Sequence, residues 1–447
     1  MRPEQLYFRV LPRVVPADEV TEVVIEPIYG YYQIKEDEMY EVGIVPMEHR
    51  SSQPEYYIPS TFDLDTILKV VGVQTIKPIK GKFRFSYLFA DEQEHIIYLR
   101  ETSGDKKLVG AFTVYSLKAD LFSRTPLKGD MHMHSHRSDG RDHPAFVAAS
   151  CRKIGLDFMA LTDHGQYQPS IEAQEAFNLD DIDLKIYRGE EIHAPDNPVH
   201  IVNFGGSFSV NDLFRGDNFQ QYQKEVVEIQ AKQGKLPHGV NPYQYASCVW
   251  VFNKIRQAGG MGIFCHPYWL IPSGFSPAGR LTDYLFETQP YDAYEIIGGY
   301  YKDQVDSNTL QVARYHEERA KGRTIPVVGV SDAHGCETGN LFGWYYTIVF
   351  SPSAELEDII TSIKDGYSVA VEAMAGESPR AYGTFRMVKF GLFAIRELFY
   401  QHDLLCKEEG LLMLDYLAGG KDATHKLAKQ KGRALNAVQT LFGRKAE

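Results

Sequence analysis

From residue 127 onward the chain repeats one pattern: a short apolar run, then in almost every case a histidine or an acid, then a glycine or proline. LKGDMHMHS is the first instance. DFMALTDHG, LKIYRGEEIHA, VHIVNFGG, GGMGIFCHP, DAYEIIGG and IPVVGVSDAHG follow. Helical segments separate several of them, among them HPAFVAASCRKIG, QYQKEVVEIQAKQG, YQYASCVWVFNKIRQAG and NTLQVARYHEERAKG. Near-continuous apolar strands alternating with helices predict a parallel α/β sheet covered on both faces. Seven such strands in succession predict a (β/α) barrel rather than an open sheet. WYYTIVF and AELEDIITSIKDG add one more strand and helix.

The polar residues fall at special places on this pattern. In parallel α/β folds the carboxyl ends of the strands gather on one face, and that face carries the chemistry. His132, His134 and Asp139 lie at or after the end of the first strand, Asp163 and His164 end the second, and Glu190 and Glu191 end the third. His200 opens VHIVNFGG, His266 ends IFCHP, and Asp332 and His334 end VSDAHG. A lone histidine in any of these tripeptides is more often structural than functional. Six strand ends in register, all with nitrogen or carboxylate donors, point instead to one site. His132 and His134 are two apart, so on a strand both face the same way. Two imidazoles on one buried face are costly unless something binds them, and a divalent metal is the usual partner.

The rest of the chain reads differently. EVTEVVIEPIYGYYQI, YEVGIVPM, PEYYIPSTF, GKFRFSYLFADEQEHIIYLRE and LVGAFTVYSL are short, aromatic or β-branched, and bounded by turn residues. They predict an antiparallel β-sandwich accessory domain over residues 1–122. Residues 123–378 hold the barrel, and residues 379–447 form a helical extension ending in a basic stretch, Lys426, Lys429, Lys431, Arg433, Arg444 and Lys445. The 59 acidic residues against 47 basic ones leave a net charge of −12, which disfavours a nucleic-acid polymer as partner. The five cysteines form no CxxC pair and no disulfide framework, so free thiols in a reducing compartment are expected. The N-terminus lacks an apolar signal region, and no apolar run reaches membrane-helix length. A cytoplasmic location follows as the expectation.

DMHMHS with SDG, then TDH, GEE, HIVNFG, CHP and SDAH, resembles the PHP family, the polymerase and histidinol phosphatase superfamily. The resemblance covers about residues 127 to 375 and leaves out the N-terminal strands and the tail. It implies a distorted (β/α)7 barrel binding two or three divalent metals, in a family where many members hydrolyse phosphate esters. Carried over residue by residue, it implies that His132, His134, Glu191 and Asp332 hold one metal. Glu191, His200 and His266 hold a second, with Glu191 bridging, and Asp139, His164 and His334 hold a third. Glu190 and Glu191 point to opposite faces of their strand, and the family's G-x-E spacing from Gly189 selects Glu191. The SDG triplet selects Asp139 over His136, leaving His136 as a phosphate contact or an exposed residue.

This donor set suits an anionic substrate. Three carboxylates against two or three divalent ions leave the cluster net positive. Metals at close spacing can hold a bridging hydroxide for attack on phosphorus. His132, Glu191, Asp332 and His334 are the expected catalytic group, and Mn, Fe or Zn the expected ions. Arg137, Arg141 and Arg188 are candidate phosphate contacts. Tyr268 and Trp269 are candidate pocket walls, and the stretch from Gly205 to Gly239 a candidate cover. Cys265 and Cys336 read as structural. The expected partner is a small phosphorylated substrate; a homo-oligomer stays open and no membrane partner is expected. Two other readings compete: an amidohydrolase-like enzyme acting on an amide or lactone, and a non-catalytic metal-binding scaffold. No lysine on these strands offers the carboxylated bridge common in amidohydrolases. A degenerate scaffold would have lost ligands.

Overall fold

The apolar runs do form strands, and their ends set the architecture. The structure is a computed structural model that describes residues 7–32, 34–50, 57–178, 180–336 and 341–444. It divides into two compact units. One comprises residues 1–125, 393–402 and 433–447, the other residues 126–392 and 403–432. The fold is mixed α/β.

In the first unit a three-stranded antiparallel sheet orders Phe8–Leu11, Val20–Pro27 and Phe83–Leu88. A five-stranded sheet orders Val14–Pro16, Leu108–Leu117, Gln93–Glu101, Tyr40–Pro46 and Val73–Ile76. Both sheets feed one apolar cluster that includes Phe8, Ile25, Phe83, Phe85, Ile97 and Phe112. The alternation in KFRFSYLF explains its share: Phe83, Phe85 and Phe89 are buried while Arg84, Ser86 and Leu88 are exposed. Two expectations fail here. Val14–Pro16 pairs with Leu108–Leu117 in parallel, which the long connection between them allows. PEYYIPSTF does not supply a strand: residues 57–62 have none, with Pro59 in their midst and Tyr57 and Phe62 exposed, and residues 54–56 lie outside the described residues.

The second unit holds two large sheets. One orders Lys185–Tyr187, Phe158–Ala160, Thr125–Asp130, Tyr345–Ser351, Ser368–Glu372 and Arg380–Tyr382. The other orders Gly189–His193, His200–Phe204, Met261–Phe264, Ala293–Gly298 and Val327–Val330. Several pairs are parallel, as expected. His200–Phe204 is not: it runs antiparallel to both neighbours. Ala194–Val199 is too short for a crossover, so the strand must return as a hairpin. The anticipated helices appear as Pro144–Lys153, Phe219–Lys232, Pro242–Gln257, Val305–Ala320 and Leu356–Lys364. Gly155, at φ 98°, ends the first of these where a side chain would be strained. In the C-terminal segment lie helices Phe385–Glu397, Phe399–Leu417, Ala423–Gln430 and Arg433–Leu441; Lys445 lies outside the described residues. No helix among the described residues is long and apolar enough to cross a membrane.

Two buried polar groups set conditions on stability. Arg152 is buried in the second unit, 2.8 Å from Glu409, 3.1 Å from Asp157 and 3.6 Å from Asp183. Arg152→Ala leaves those acids without their cation and is expected to cost about 3–5 kcal/mol, read as a lower urea midpoint. In the first unit, burial pushes the His95 imidazole down to about 3. The unfolded chain therefore takes up a proton that the folded one refuses as pH falls from the ordinary histidine value toward 3. Stability is full above that range and declines within it by up to about 1.4 kcal/mol per pH unit. His95→Phe is expected to flatten the acid limb of the stability–pH curve.

Candidate metal centre

The segment after the first strand is stitched between two others. Thr162 N–H donates to the Met133 carbonyl and Asp332 N–H to the His132 carbonyl, both at 2.8 Å. His134 N–H donates to Ala333 at 2.9 Å and Glu191 N–H to Thr162 at 3.1 Å. Isolated parallel bridges, Met133 to Ala333 and His164 to Glu191, mark the same joins. DMHMH, TDH, GEE and SDAH are thereby held side by side past the ends of their strands.

Glu191 lies at the middle. Its side chain is fully buried. Oε2 lies 2.5 Å from His164 Nδ1, 3.5 Å from His193 Nε2, and 3.6 Å from Nε2 of both His132 and His134. Oε1 lies 2.9 Å from His200 Nδ1 and 3.4 Å from His266 Nε2. Asp332 Oδ1 faces His134 at 2.9 Å and His132 at 3.3 Å. Asp139, more exposed, faces His334 at 3.3 Å and His164 at 3.4 Å. All nine residues singled out in the sequence thus lie within ion-pair distance of another member. His266 and Asp332 have left-handed backbones, φ 24° and 51°, rare for residues with side chains and frequent at functional sites.

Despite these approaches, both Glu191 oxygens and ring nitrogens of His132, His134 and His200 lack a hydrogen-bond partner. Buried polar atoms are nearly always paired. His134 Nε2 and Asp332 do pair, at 2.9 Å, but the remaining donors, gathered close together without partners, are what a shared cation would satisfy. Burial would raise the Glu191 carboxyl, yet the surrounding imidazoles, His200 foremost, hold it well below the usual range. Burial pushes His200 down to about 4, which leaves a neutral ring with a free lone pair. Burial also opposes the charged form of His164, but Glu191 and then Asp139 lift it to about 9. Nitrogen and oxygen donors of this kind suit divalent metal ions.

The adjacent residues of each motif do a different task. Glu190, on the opposite face, accepts from Ser209 and Asn211 at 2.8 Å, Val210 N at 2.5 Å and Asn203 at 3.1 Å. Asp163 accepts from Ser135 N at 2.9 Å and Ser138 Oγ at 2.7 Å, which fixes the turn carrying Asp139. Gly140 closes that turn; a Cβ there would stand 2.5 Å from the His134 carbonyl.

A cavity of about 470 Å³ opens over this centre, lined by residues that include His193, Trp269, Tyr300, Tyr301, Gln304 and Leu341. Four sequence candidates lie off this lining. Arg137 is bound by Glu172 at 2.8 and 2.9 Å, Arg188 Nε donates to Gln174 at 3.4 Å, and His136 Nδ1 is 3.1 Å from the Asp142 carbonyl. Arg141 joins through its backbone, which donates to His334 O at 2.9 Å. Of the aromatic pair, Trp269 lines the cavity, while the Tyr268 hydroxyl accepts from Arg314. The stretch from Gly205 to Gly239 contributes nothing to the lining. It is built of the 3₁₀ turns Asn211–Phe214 and Gly216–Asn218 and the helix Phe219–Lys232, and Glu190 ties it back.

No protein-family model matches the chain. A stretch of 53 residues is 45% identical to the DNA polymerase/3'-5' exonuclease PolX of Bacillus subtilis, covering 12% of this chain and 9% of that protein. A two-domain protein of Bacteroides vulgatus, containing a predicted PHP-like metal-dependent phosphoesterase, shares 19% identity, with a TM-score of 0.40. That match covers 56% of this chain and 65% of the other. An amidohydrolase from Chromobacterium violaceum shares 19% identity over 46% of this chain and 87% of its own, with a TM-score of 0.30. The chain therefore spans less than two thirds of the first two. The donor set is one that could hold divalent metal ions.

Two residues among the gathered donors escaped the sequence reading, as did the lining residues Tyr300, Tyr301, Gln304 and Leu341. His193 is two positions beyond Glu191 on one strand, so the alternation that selected Glu191 also points His193 inward. Glu295 is a lone acid in an otherwise apolar strand, 3.6 Å from His132 Nδ1. The neighbouring glutamates provide a direct comparison. Glu190→Ala should cost about 1–3 kcal/mol for each donor it strands and leave metal content unchanged. Glu191→Gln should lower metal content and leave the thermal midpoint of the metal-free protein nearly in place. Elemental analysis alongside thermal melts checks both.

Proposed function

We propose that the chain is a metal-dependent phosphoesterase of the PHP superfamily that hydrolyses a small phosphate ester. The observation that supports this most strongly is the buried Glu191 carboxylate, unpartnered by hydrogen bonds and faced by imidazoles on every side. In this reading His132, His134, Glu191 and Asp332 hold one ion and Glu191, His200 and His266 a second. Asp139, His164 and His334 hold a third. When bound, such ions supply Lewis-acid charge to a phosphoryl group and acidify water. In the same reading the two large sheets belong to a distorted (β/α)7 barrel, and residues 1–122 form a β-sandwich.

The chain's own residues then shape the reaction. Glu191 ties two donor groups together through one rigid strand. Asp163 and Gly140 hold the turn that presents Asp139. Trp269, Tyr300 and Tyr301 wall the cavity and exclude water from one side of it. No lysine or arginine is among the described lining residues, so the substrate's charge is met by the centre itself. The missing lysine also favours phosphoester over amide or lactone chemistry, since no carboxylated lysine is available there as a bridge.

The test is elemental analysis of the purified protein together with p-nitrophenyl phosphate turnover, on wild type and His132→Ala. Roughly two to three divalent ions per chain are expected. Chelation should abolish turnover and manganese restore it, and His132→Ala should lower metal content by about one ion per chain and the rate by roughly 10–100-fold or more. Bound metal without phosphatase activity on a phosphate-ester library would overturn the substrate class. No metal after reconstitution with Mn, Fe or Zn would overturn the centre.

A further inference from the structure

The proposed centre uses one nitrogen of His132 and leaves the carboxylate behind that ring unexplained. Glu295 sits within Ala293–Gly298, a strand buried along its whole length. Its side chain is fully buried, and neither oxygen has a hydrogen-bond partner. An acid in such a place needs a donor or a counter-charge. What faces it is the imidazole of His132, with Nδ1 3.6 Å from Glu295 Oε2. The ring's other nitrogen looks toward the centre: Nε2 is 3.3 Å from Asp332 and 3.6 Å from Glu191. Cys265 completes the group; its thiol donates to the Ile263 carbonyl at 3.4 Å, and its sulfur is a weak acceptor beside a carboxylate. Gly299 keeps the space open, since a Cβ there would stand 3.3 Å from Glu295 Oε1 and 3.4 Å from Asp332 Oδ2.

A neutral imidazole carries one proton, and its place decides which nitrogen can bind a metal. On Nε2 it would point at the centre and block that lone pair. On Nδ1 it points at Glu295. We propose that Glu295 is a positioning residue for His132: its carboxylate accepts the Nδ1–H and fixes the tautomer whose Nε2 lone pair faces Glu191 and Asp332. The gap closes to hydrogen-bond length with a shift of under about 1 Å. Carboxylate–histidine–metal relays of this kind orient ligand rings and raise their basicity. The assignment rests on the metal-centre reading and adds a residue on the far side of its ring.

The experiment is calorimetric titration of zinc into the metal-free full chain: wild type, Glu295→Gln, His132→Ala and the double variant. Nitrogen-15 imidazole spectra of the zinc-loaded wild type accompany it. Glu295→Gln should weaken the tightest zinc site by about 10–100-fold, and that loss should vanish in the His132→Ala background. The spectra should place the His132 proton on Nδ1. A folded Glu295→Gln protein with wild-type affinity would overturn the assignment, as would a loss fully additive with His132→Ala, or a proton on Nε2. If Glu295→Gln fails to fold, the wild-type spectrum decides alone. Wild type that takes up no zinc sinks the metal centre itself, whereas wild type and variant binding equally sinks the role of Glu295 alone.

Discussion

A carboxylate cannot be left without a partner in a protein interior, and Glu191 is surrounded by rings rather than by donors aimed at it. Six imidazoles stand within 3.6 Å of its two oxygens. This is a poor hydrogen-bonding arrangement and a good coordinating one. The backbone ladder through Met133, Thr162, Ala333 and Glu191 maintains it by bringing four segments, distant in sequence, side by side. Without those main-chain bonds the imidazoles would have no reason to share one small volume.

Strand alternation divides the work within each motif. Glu191 and His164 face inward. Their immediate neighbours, Glu190 and Asp163, face structure and are satisfied by several donors each. The residues beside the site are thus part of its foundation. The left-handed backbone at His266 and Asp332 belongs to the same economy: a strained turn is tolerated where it aims a donor.

Much of this was legible in the sequence because strand ends in an α/β fold are forced to one side, so donors at strand ends must converge. The legible part stopped where neighbourhood in sequence ceased to mean neighbourhood in space. Arg137 follows directly on the histidine motif, yet its guanidinium turns away to Glu172. His200–Phe204 was expected to run parallel, although the short link from Ala194 to Val199 already demanded a hairpin. That reversal is why a histidine at the start of its strand, rather than at the end, reaches the same edge. Glu295 carried a signal too, an acid inside AYEIIG, but its partner His132 lies far away in sequence and nothing local named it. PEYYIPSTF misled because aromatic residues mark exposed turns as readily as strands when a proline interrupts them.

The paired glutamates also bear on how such a chain can vary in length. A slip of one residue along Gly189–His193 would exchange Glu190 for Glu191 at the cavity. The cavity would receive the same functional group, while the loop behind it would meet Gly189 in place of a carboxylate. At Asp163–His164 the same slip would replace an imidazole with an acid and leave Ser135 and Ser138 facing Thr162. A one-residue insertion ahead of these two adjoining strand ends would therefore have unequal effects at the cavity: a change of fit at one, a change of chemistry at the other.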